Sequence, residues 1–104
     1  MDNVQYKLMY RPLFYDDLAE AVDYISVKLQ NPESAKKLIE LTEQAILNRL
    51  DNPTGFQPIQ TKKQRKHPYY RISVKNFSVY YVVIDDVMEV RRFLYSRRNI
   101  SEIL

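Results

Sequence analysis

Residues 69–96 read YYRISVKNFSVYYVVIDDVMEVRRFLYS, and this stretch decides the fold. It is rich in Val, Ile, Tyr and Phe, which fit a pleated surface, while Asn76 and the pair Asp85-Asp86 mark tight connections. The pattern predicts three antiparallel strands in a meander, over residues 69–75, 77–85 and 87–96. Residues 77–84 are apolar on both faces, which predicts a central strand covered on one side by helices.

The chain before this sheet changes from strand to helical spacing. Residues 5–10 (QYKLMY) alternate well enough for a short strand, and Pro12 suits the first turn of a helix. Apolar residues recur at helical spacing over 14–29 until Asn31-Pro32 breaks the pattern. A second helix is predicted over 32–50, and two helices so closely joined should form an antiparallel hairpin.

Residues 99–102 (NISE) have the spacing of a capping box and predict a last helical turn. The predicted order is therefore strand, helix, helix and three strands. That order predicts an α+β two-layer fold in which the helix hairpin packs on one face of the sheet, as a single domain over residues 1–104.

Composition narrows the class of protein. A chain of 104 residues with 45% hydrophobic and 28% charged residues is ordinary for one globular domain. No apolar run is long enough to span a bilayer, and residues 1–5 lack the pattern of a signal peptide. There are no cysteines, which is compatible with a reducing compartment. We therefore expect a cytoplasmic protein with no membrane contact.

The positive charge is concentrated in the C-terminal half. Residues 1–56 carry six basic and nine acidic side chains (net −3), whereas residues 57–104 carry ten basic and four acidic (net +6). Such asymmetry favours a negatively charged partner, either nucleic acid or an acidic peptide. The alternative is that Lys and Arg only keep a small protein soluble. The run over residues 62–67 (KKQRKH) is likewise either a contact surface or a solvated loop.

Common catalytic and cofactor motifs are missing. The only glycine is Gly55, so there is no nucleotide-binding glycine loop. The only histidine is His67, which leaves little for a metal site or a Ser-His-Asp triad, and a solvent-exposed loop position is the commoner role. The acidic pairs Asp16-Asp17 and Asp85-Asp86 have ready structural roles as helix N-terminal charge and turn residues. We expect no cofactor and no metal.

Arginines and tyrosines remain as candidates for chemistry. The catalytic candidates are Arg71, Arg92, Tyr95 and Arg98. Guanidinium groups bind phosphates and stabilise a charged transition state, and a tyrosine can move a proton without metal or histidine. Period-two alternation predicts Arg92 and Leu94 on one strand face and Arg91, Phe93 and Tyr95 on the other.

Each of these candidates also has a structural alternative. Tyr80 and Tyr81 are expected to be core residues rather than contact residues. A salt bridge from Arg92 or Arg98 to Asp85, to Glu89 or to a partner's carboxylate is as plausible as substrate contact.

Residues 92–100 read RFLYSRRNI, residues 70–81 are followed by Asp85-Asp86, and residues 18–25 read LAEAVDYI. These three stretches resemble the RelE/ParE toxins of bacterial toxin–antitoxin systems. Residues 92–100 are similar to the family's closing motif R-x-L-H-x-x-R-(D/N)-I. Residues 70–81 with Asp85-Asp86 are similar to the family's second and third strands, and residues 18–25 (LAEAVDYI) to ParE-type helices. The resemblance covers nearly the whole chain and implies the same order of elements.

The family resemblance implies one of two targets. RelE-like members are ribosome-dependent mRNA endoribonucleases, whereas ParE-like members inhibit DNA gyrase. The nucleases usually carry an arginine after the aromatic that opens the third strand, in a pattern like Y-R-(L/V)-(V/I)-Y; here Ser78 follows Phe77, and serine supplies no fixed charge. Arg71 does match the basic residue of strand two, and Tyr95 favours neither branch. Serine in place of the arginine at position 78 favours gyrase poisoning. The alternatives are mRNA cleavage and a divergent, inactive member of the family.

The resemblance also implies partners. A cognate antitoxin, with a segment disordered when alone, would fold along the helices and sheet, and the pair would bind its own promoter DNA mainly through the antitoxin. The candidates for contact with antitoxin or nucleic acid are Lys62, Lys63, Arg65, Lys66, Arg71, Arg92 and Arg98. Outside the family, the chain could be a small RNA-binding module that uses the basic loop and the aromatics of the sheet.

Overall fold

A computed structural model describes residues 5–63 and 65–104. Residues 1–4, which belong to the segment without a signal-peptide pattern, and Gln64 of the basic run lie outside the described residues. The elements are β1 (Lys7–Tyr10), α1 (Pro12–Asp23), α2 (Pro32–Arg49), β2 (Tyr70–Val74), β3 (Phe77–Ile84), β4 (Val87–Tyr95) and α3 (Ile100–Ile103). A π-helical turn, Tyr24–Lys28, continues α1. The predicted α+β order is confirmed, with boundaries that differ by one or two residues at most ends.

The four strands form one sheet in the order β1-β4-β3-β2. The predicted antiparallel meander of β2, β3 and β4 is confirmed. β1 lies beside β4 and runs parallel to it, so that the first and last strands of the chain are neighbours. A parallel pair needs a long crossover, which the helix hairpin and the meander supply here. β3 and β4 are therefore the two inner strands.

A bulge in β4 overturns the predicted alternation around Arg91. Tyr80 pairs with Arg92, but the next residue, Tyr81, pairs with Val90, which leaves Arg91 as the extra residue. The period-two pattern had put Arg91 on the face of Phe93. Because of the bulge, its guanidinium instead reaches the hydroxyl of Tyr69 on the opposite face.

The helix hairpin covers one face of the sheet, hereafter the inner face, as predicted. Apolar residues of α1 and α2 pack there against alternate residues of the strands, because only those side chains point toward the helices. This core comprises Phe14, Ala21, Leu38, Ile46, Tyr70, Ile72, Val74, Val79, Tyr81, Met88, Val90 and Phe93. The prediction that Tyr81 is a core residue is confirmed.

The opposite face of the sheet, hereafter the outer face, is also covered. Tyr69, Tyr80, Val82 and Leu94 form a second apolar cluster there, with Tyr80 fully buried. Its cover comes from Ile59 in the loop before β2 and from the C-terminal residues Ile100, Ile103 and Leu104. Ile84 at the end of β3 also packs against the cluster. Tyr80 is thus a core residue, as predicted. This second layer explains why β3 is apolar on both faces.

The helix ends follow the sequence in part. The Asn31 side chain accepts a hydrogen bond from the Ser34 backbone N–H (3.1 Å) and so caps α2, which begins at Pro32. The predicted last helical turn exists as α3, but its capping box does not form. Instead, the hydroxyl of Ser101 donates to the side-chain oxygen of Asn99 (2.8 Å), which occupies the atom that would cap the helix. No helix in the described ranges is long and apolar enough to cross a membrane.

Candidate functional site

An open groove of about 1060 Å³ lies between the helix hairpin and one end of the sheet. The π-helical turn and the start of α2 form one side; the β2–β3 turn and the end of β4 form the other. Apolar side chains line it from both sides, namely Ala21, Ile25, Leu38, Leu41, Phe77 and Phe93. We call this feature the helix–sheet groove.

The rim of the helix–sheet groove combines exposed apolar side chains with charges. Tyr24, Leu29 and Tyr95 line it and are 52%, 56% and 40% exposed, and exposed apolar surface beside polar residues is typical of interaction sites. Acidic residues lie on the α1 side, and cations lie on the π-helical turn, α2 and the sheet. The charged lining residues are Asp17, Glu20, Asp23, Lys28, Lys37, Lys75 and Arg98. The groove therefore suits an amphipathic peptide segment better than a small apolar molecule.

Arg92 is held by an aspartate of α1. Its Nε and Nη2 donate to the two carboxylate oxygens of Asp17 at 2.7 and 3.0 Å, and the backbone N–H of Phe93 donates to the same carboxylate at 3.0 Å. Only 21% of the Arg92 side chain and 10% of the Asp17 side chain are exposed. The hydrogen bonds to Asp17 raise the pKa of Arg92, against an opposing effect of burial. We call this ion pair the Asp17–Arg92 latch.

The latch corrects two expectations. The sequence pointed to Asp85 or Glu89 as carboxylates for Arg92, whereas the structure pairs it with Asp17, 75 residues earlier. The sequence predicts Asp17 as charge at the start of a helix, but no acidic residue lies in the first turn of α1. Since β1 ends at Tyr10, the edge of β4 beyond it is unpaired, and Asp17 satisfies its Phe93 N–H. Nothing local in the sequence signals this contact.

The other three catalytic candidates lie on different surfaces. Tyr95 and Arg98 line the helix–sheet groove. Arg71 is exposed on β2, where it pairs with Tyr80 and its carbonyl accepts a 3.4 Å hydrogen bond from Arg49. The structure thus brings Tyr95 and Arg98 to one groove but places Arg71 at the opposite edge of the sheet from β1.

Ser78, the residue at the arginine position of the nucleases, is buried. It is 1% exposed, and its hydroxyl shares a 2.8 Å hydrogen bond with the hydroxyl of Ser96, the residue directly after β4. A buried, satisfied serine stabilises the pairing of β3 with β4 and presents no group to a substrate.

The basic run borders the outer face of the sheet. Lys62, Lys63 and Lys66 are exposed, whereas Arg65 is half-buried with its guanidinium carbon 5.0 Å from the centre of the Tyr69 ring. His67 is half-buried. In the described ranges no group of three or more His, Cys, Asp or Glu side chains could hold a metal ion.

The sequence pattern does not indicate three features of the helix–sheet groove, namely the pairing of Asp17 with Arg92, the exposed Tyr24 and Leu29, and the π-helical turn. The helical spacing of residues 14–29 predicts one regular helix and does not distinguish Tyr24 or Leu29 from its other residues. The π-helical turn is the feature that brings Tyr24 to the groove rim, and such turns often occur at functional sites. The periodicity of 14–29 fits a regular helix equally well, so the turn left no clear sequence signal.

The sequence matches the family model described as the ParE toxin of type II toxin–antitoxin system, parDE, over residues 8–100. No curated protein matches the chain significantly. Several solved structures share its fold. A chain of the chromosomal ParDE toxin–antitoxin system from P. aeruginosa is 16% identical with a TM-score of 0.67, over 88% of this chain and 96% of that one.

Two further structures are similar. A chain of the E. coli DinJ–YafQ toxin–antitoxin complex is 10% identical with a TM-score of 0.56, over 88% of this chain and 93% of that one. A chain of the RelB–RelE antitoxin–toxin complex from Methanococcus jannaschii is 23% identical with a TM-score of 0.51, over 92% and 98%. At these identities the likeness shows the RelE/ParE-like fold alone.

Proposed function

We propose that this chain, which belongs to the ParE toxin family of type II toxin–antitoxin systems, inhibits growth by poisoning DNA gyrase. As a member of that family it is the toxin of a type II pair. Gyrase is the target known for the ParE-like members of the RelE/ParE superfamily, which this chain resembles. The proposal includes a cytoplasmic location, where gyrase works on DNA, and one toxin domain over residues 1–104.

The observation that carries the choice of target is the state of Arg92 and Ser78. Metal-independent RNA cleavage needs a positive charge free to stabilise the transition state. Arg92 is instead engaged by Asp17 in a bidentate pair, and the position of the usual nuclease arginine is the buried Ser78. Tyr95 and Arg98 line the helix–sheet groove, whereas Arg71 and Arg92 do not. This arrangement favours an inhibitor that acts by binding over an endoribonuclease.

Neutralisation by a cognate antitoxin forms the second part of the proposal. The helix–sheet groove is wide, apolar along its floor and charged on both rims, which are the properties of a groove that receives an amphipathic segment. Tyr24, Leu29 and Tyr95 would lose their exposed apolar surface to that segment. Arg98 and Lys75 on the sheet side would pair with its acidic residues. The complex would then bind promoter DNA mainly through the antitoxin.

Inducible expression in a bacterial host tests the target. The proposal predicts growth arrest with an SOS response and DNA breaks, while transcripts stay intact through the first minutes. Prompt translational arrest with cleaved transcripts would contradict it and favour the ribosome-dependent nuclease. Absence of growth arrest on expression without an antitoxin would contradict both.

Single alanine variants test the residues. Arg98→Ala and Tyr95→Ala are expected to reduce antitoxin binding, toxicity or both, because these side chains line the groove. Lys36→Ala, an exposed position on the α2 surface outside the helix–sheet groove, is the matched control. Unchanged toxicity and unchanged antitoxin affinity for both groove variants would contradict a role for the helix–sheet groove in either function.

A further inference from the structure

Two arginines flank one tyrosine on the outer face of the sheet. The guanidinium carbons of Arg65 and Arg91 lie 5.0 and 5.6 Å from the centre of the Tyr69 ring. Arg91 also donates a 3.2 Å hydrogen bond to the Tyr69 hydroxyl. Cation–π contacts of this kind hold a guanidinium in place and leave its charge unneutralised. Two positive charges from distant parts of the chain are thus fixed side by side.

The nearest carboxylate is shared and does not cancel the charge. Glu89 on β4 is 8% exposed, and its Oε1 lies 3.4 Å from the Nε of Arg91 and 3.4 Å from the Nε of Arg11. One negative charge therefore serves two arginines. The resulting row runs from the β1 edge to the β2 edge as Arg11, Glu89, Arg91, Tyr69 and Arg65, and we call it the outer basic row.

Further cations flank the outer basic row. Lys66 is exposed one residue after Arg65, and Arg71 is exposed two residues after Tyr69 on the same strand face. In the described ranges neither forms an ion pair, and the Nε of Arg65 is buried without a hydrogen-bond partner. The row extends from Arg11, directly after β1, to Tyr69 and Arg65, before β2. These are the two outer strands of the sheet, and three strand spacings of ~4.8 Å are roughly 15 Å. The five cations Arg11, Arg65, Lys66, Arg71 and Arg91, less the one negative charge of Glu89, leave a net charge of about +4, so that binding would neutralise about four phosphates.

The aromatic residues beneath this row are not available to bases. Tyr69 is 6% exposed and Tyr80 is fully buried under Ile59 and the C-terminal helix. Proteins that bind single-stranded nucleic acid stack bases on exposed aromatic rings. The outer face offers fixed guanidinium groups but no aromatic surface on which bases could stack. This combination suits duplex nucleic acid, because its bases already stack and pair with one another.

We propose that the outer basic row, with Lys66 and Arg71, binds the phosphate backbone of duplex DNA without reading its sequence. This binding goes beyond gyrase poisoning and does not require gyrase or an antitoxin. It would hold the toxin on the DNA that its proposed target acts on. The net-negative helical half would face away from the DNA, so that the helix–sheet groove stays open to a protein.

Fluorescence anisotropy of a labelled 20-base-pair duplex with the purified full chain tests the proposal. With about four phosphate contacts, the slope of log K against log salt is expected near −3.6, so that affinity falls roughly 100-fold between 50 and 200 mM salt. A single-stranded RNA of equal length should bind more weakly. No duplex binding at 50 mM salt, or tighter binding of the single strand, would overturn the proposal.

Charge variants locate the site. Arg65→Gln and Arg91→Gln should each weaken binding roughly 5- to 10-fold at 100 mM salt and reduce the slope by about 0.9. Lys36→Gln on α2 removes the same charge and should change binding less than 2-fold. Equal effects of Lys36→Gln and Arg91→Gln would overturn the assignment to the outer face.

Two conservative variants separate binding from folding. Arg91→Lys keeps the charge and should retain most of the affinity. Glu89→Gln removes the only carboxylate among the contacts of the row and should tighten binding several-fold, an effect that loss of structure cannot produce. Weaker binding by a folded Glu89→Gln protein would contradict the proposal. Because the assay contains no gyrase, its failure leaves the proposed target untouched.

Discussion

Replacing Asp17 by Asn tests the latch that joins α1 to the end of β4. The carboxylate accepts two hydrogen bonds from Arg92 and one from the Phe93 backbone. A hydrogen bond to a charged group contributes ~1.5–3 kcal/mol, and removing one partner of a fully buried ion pair costs ~3–5 kcal/mol. The pair is 21% and 10% exposed, and the amide keeps one acceptor. We therefore expect Asp17→Asn to lower the free energy of unfolding by about 2–3 kcal/mol.

Urea denaturation and thermal melting followed by circular dichroism measure this loss. In a domain of this size a loss of about 2–3 kcal/mol lowers Tm by roughly 10 °C. Asp16→Asn, an exposed neighbour on the same helix, is the control and should stay within ~0.5 kcal/mol of the parent chain. A double-mutant cycle with Arg92→Gln should give a coupling energy of about 1–2 kcal/mol.

Two outcomes would refute this reasoning. If Asp17→Asn destabilises no more than Asp16→Asn, the pair contributes no net stability. If the cycle shows additive effects, Arg92 does not act through Asp17. In either case Arg92 would be available for phosphate contact, and its position beside Asp17 would no longer favour an inhibitor over a nuclease.

Three further variants have specific expected results. Burial raises the pKa of Tyr10 and of Tyr81, so the stability tied to their neutral forms is complete below pH ~10 and is lost as pH rises through the folded values; Tyr81→Phe should make an unfolding titration between pH 9 and 11 less steep. The same variant loses hydrogen bonds to Pro53 and Arg49, and should cost about 1–2 kcal/mol at pH 7. Arg98→Glu should weaken antitoxin binding at least 10-fold by calorimetry, whereas Lys36→Glu should not; equal effects would exclude the groove. Ile103→Asp should uncover Tyr80 and Leu94 beneath α3, lower the free energy of unfolding by about 2 kcal/mol and increase dye binding to apolar surface; an unchanged melting curve would show that α3 does not protect the outer face.

Most strands, turns and helix starts could be predicted from local sequence patterns. The β-branched and aromatic residues of 69–96 specify strands whatever packs on them, and Asn76 and Asp85 mark their turns. At both turns a residue adopts positive φ, namely Lys75 (56°) and Asp85 (55°). Pro12 and Asn31-Pro32 fix the starts of both long helices in the same local way. Such features need no knowledge of distant residues.

Features that depend on distant residues escaped prediction. The parallel pairing of β1 with β4 joins residues about 80 positions apart, and the Asp17–Arg92 latch joins residues 75 positions apart. The bulge at Arg91 exchanges the two faces of β4, and a period-two pattern carries no mark of it. The sequence therefore indicates which arginines are candidates, but the face of the sheet on which each arginine lies depends on tertiary contacts.

A gyrase cleavage assay tests the central claim most directly. Purified toxin is incubated with gyrase, ATP and supercoiled plasmid, and the reaction is stopped with detergent and protease to reveal trapped breaks. Gyrase poisoning predicts linear DNA in proportion to toxin, and none after addition of the cognate antitoxin or without gyrase. Plasmid that stays fully supercoiled at toxin concentrations that arrest growth would contradict gyrase poisoning, and cleavage of mRNA in a translating extract by the same preparation would assign the ribosome as target.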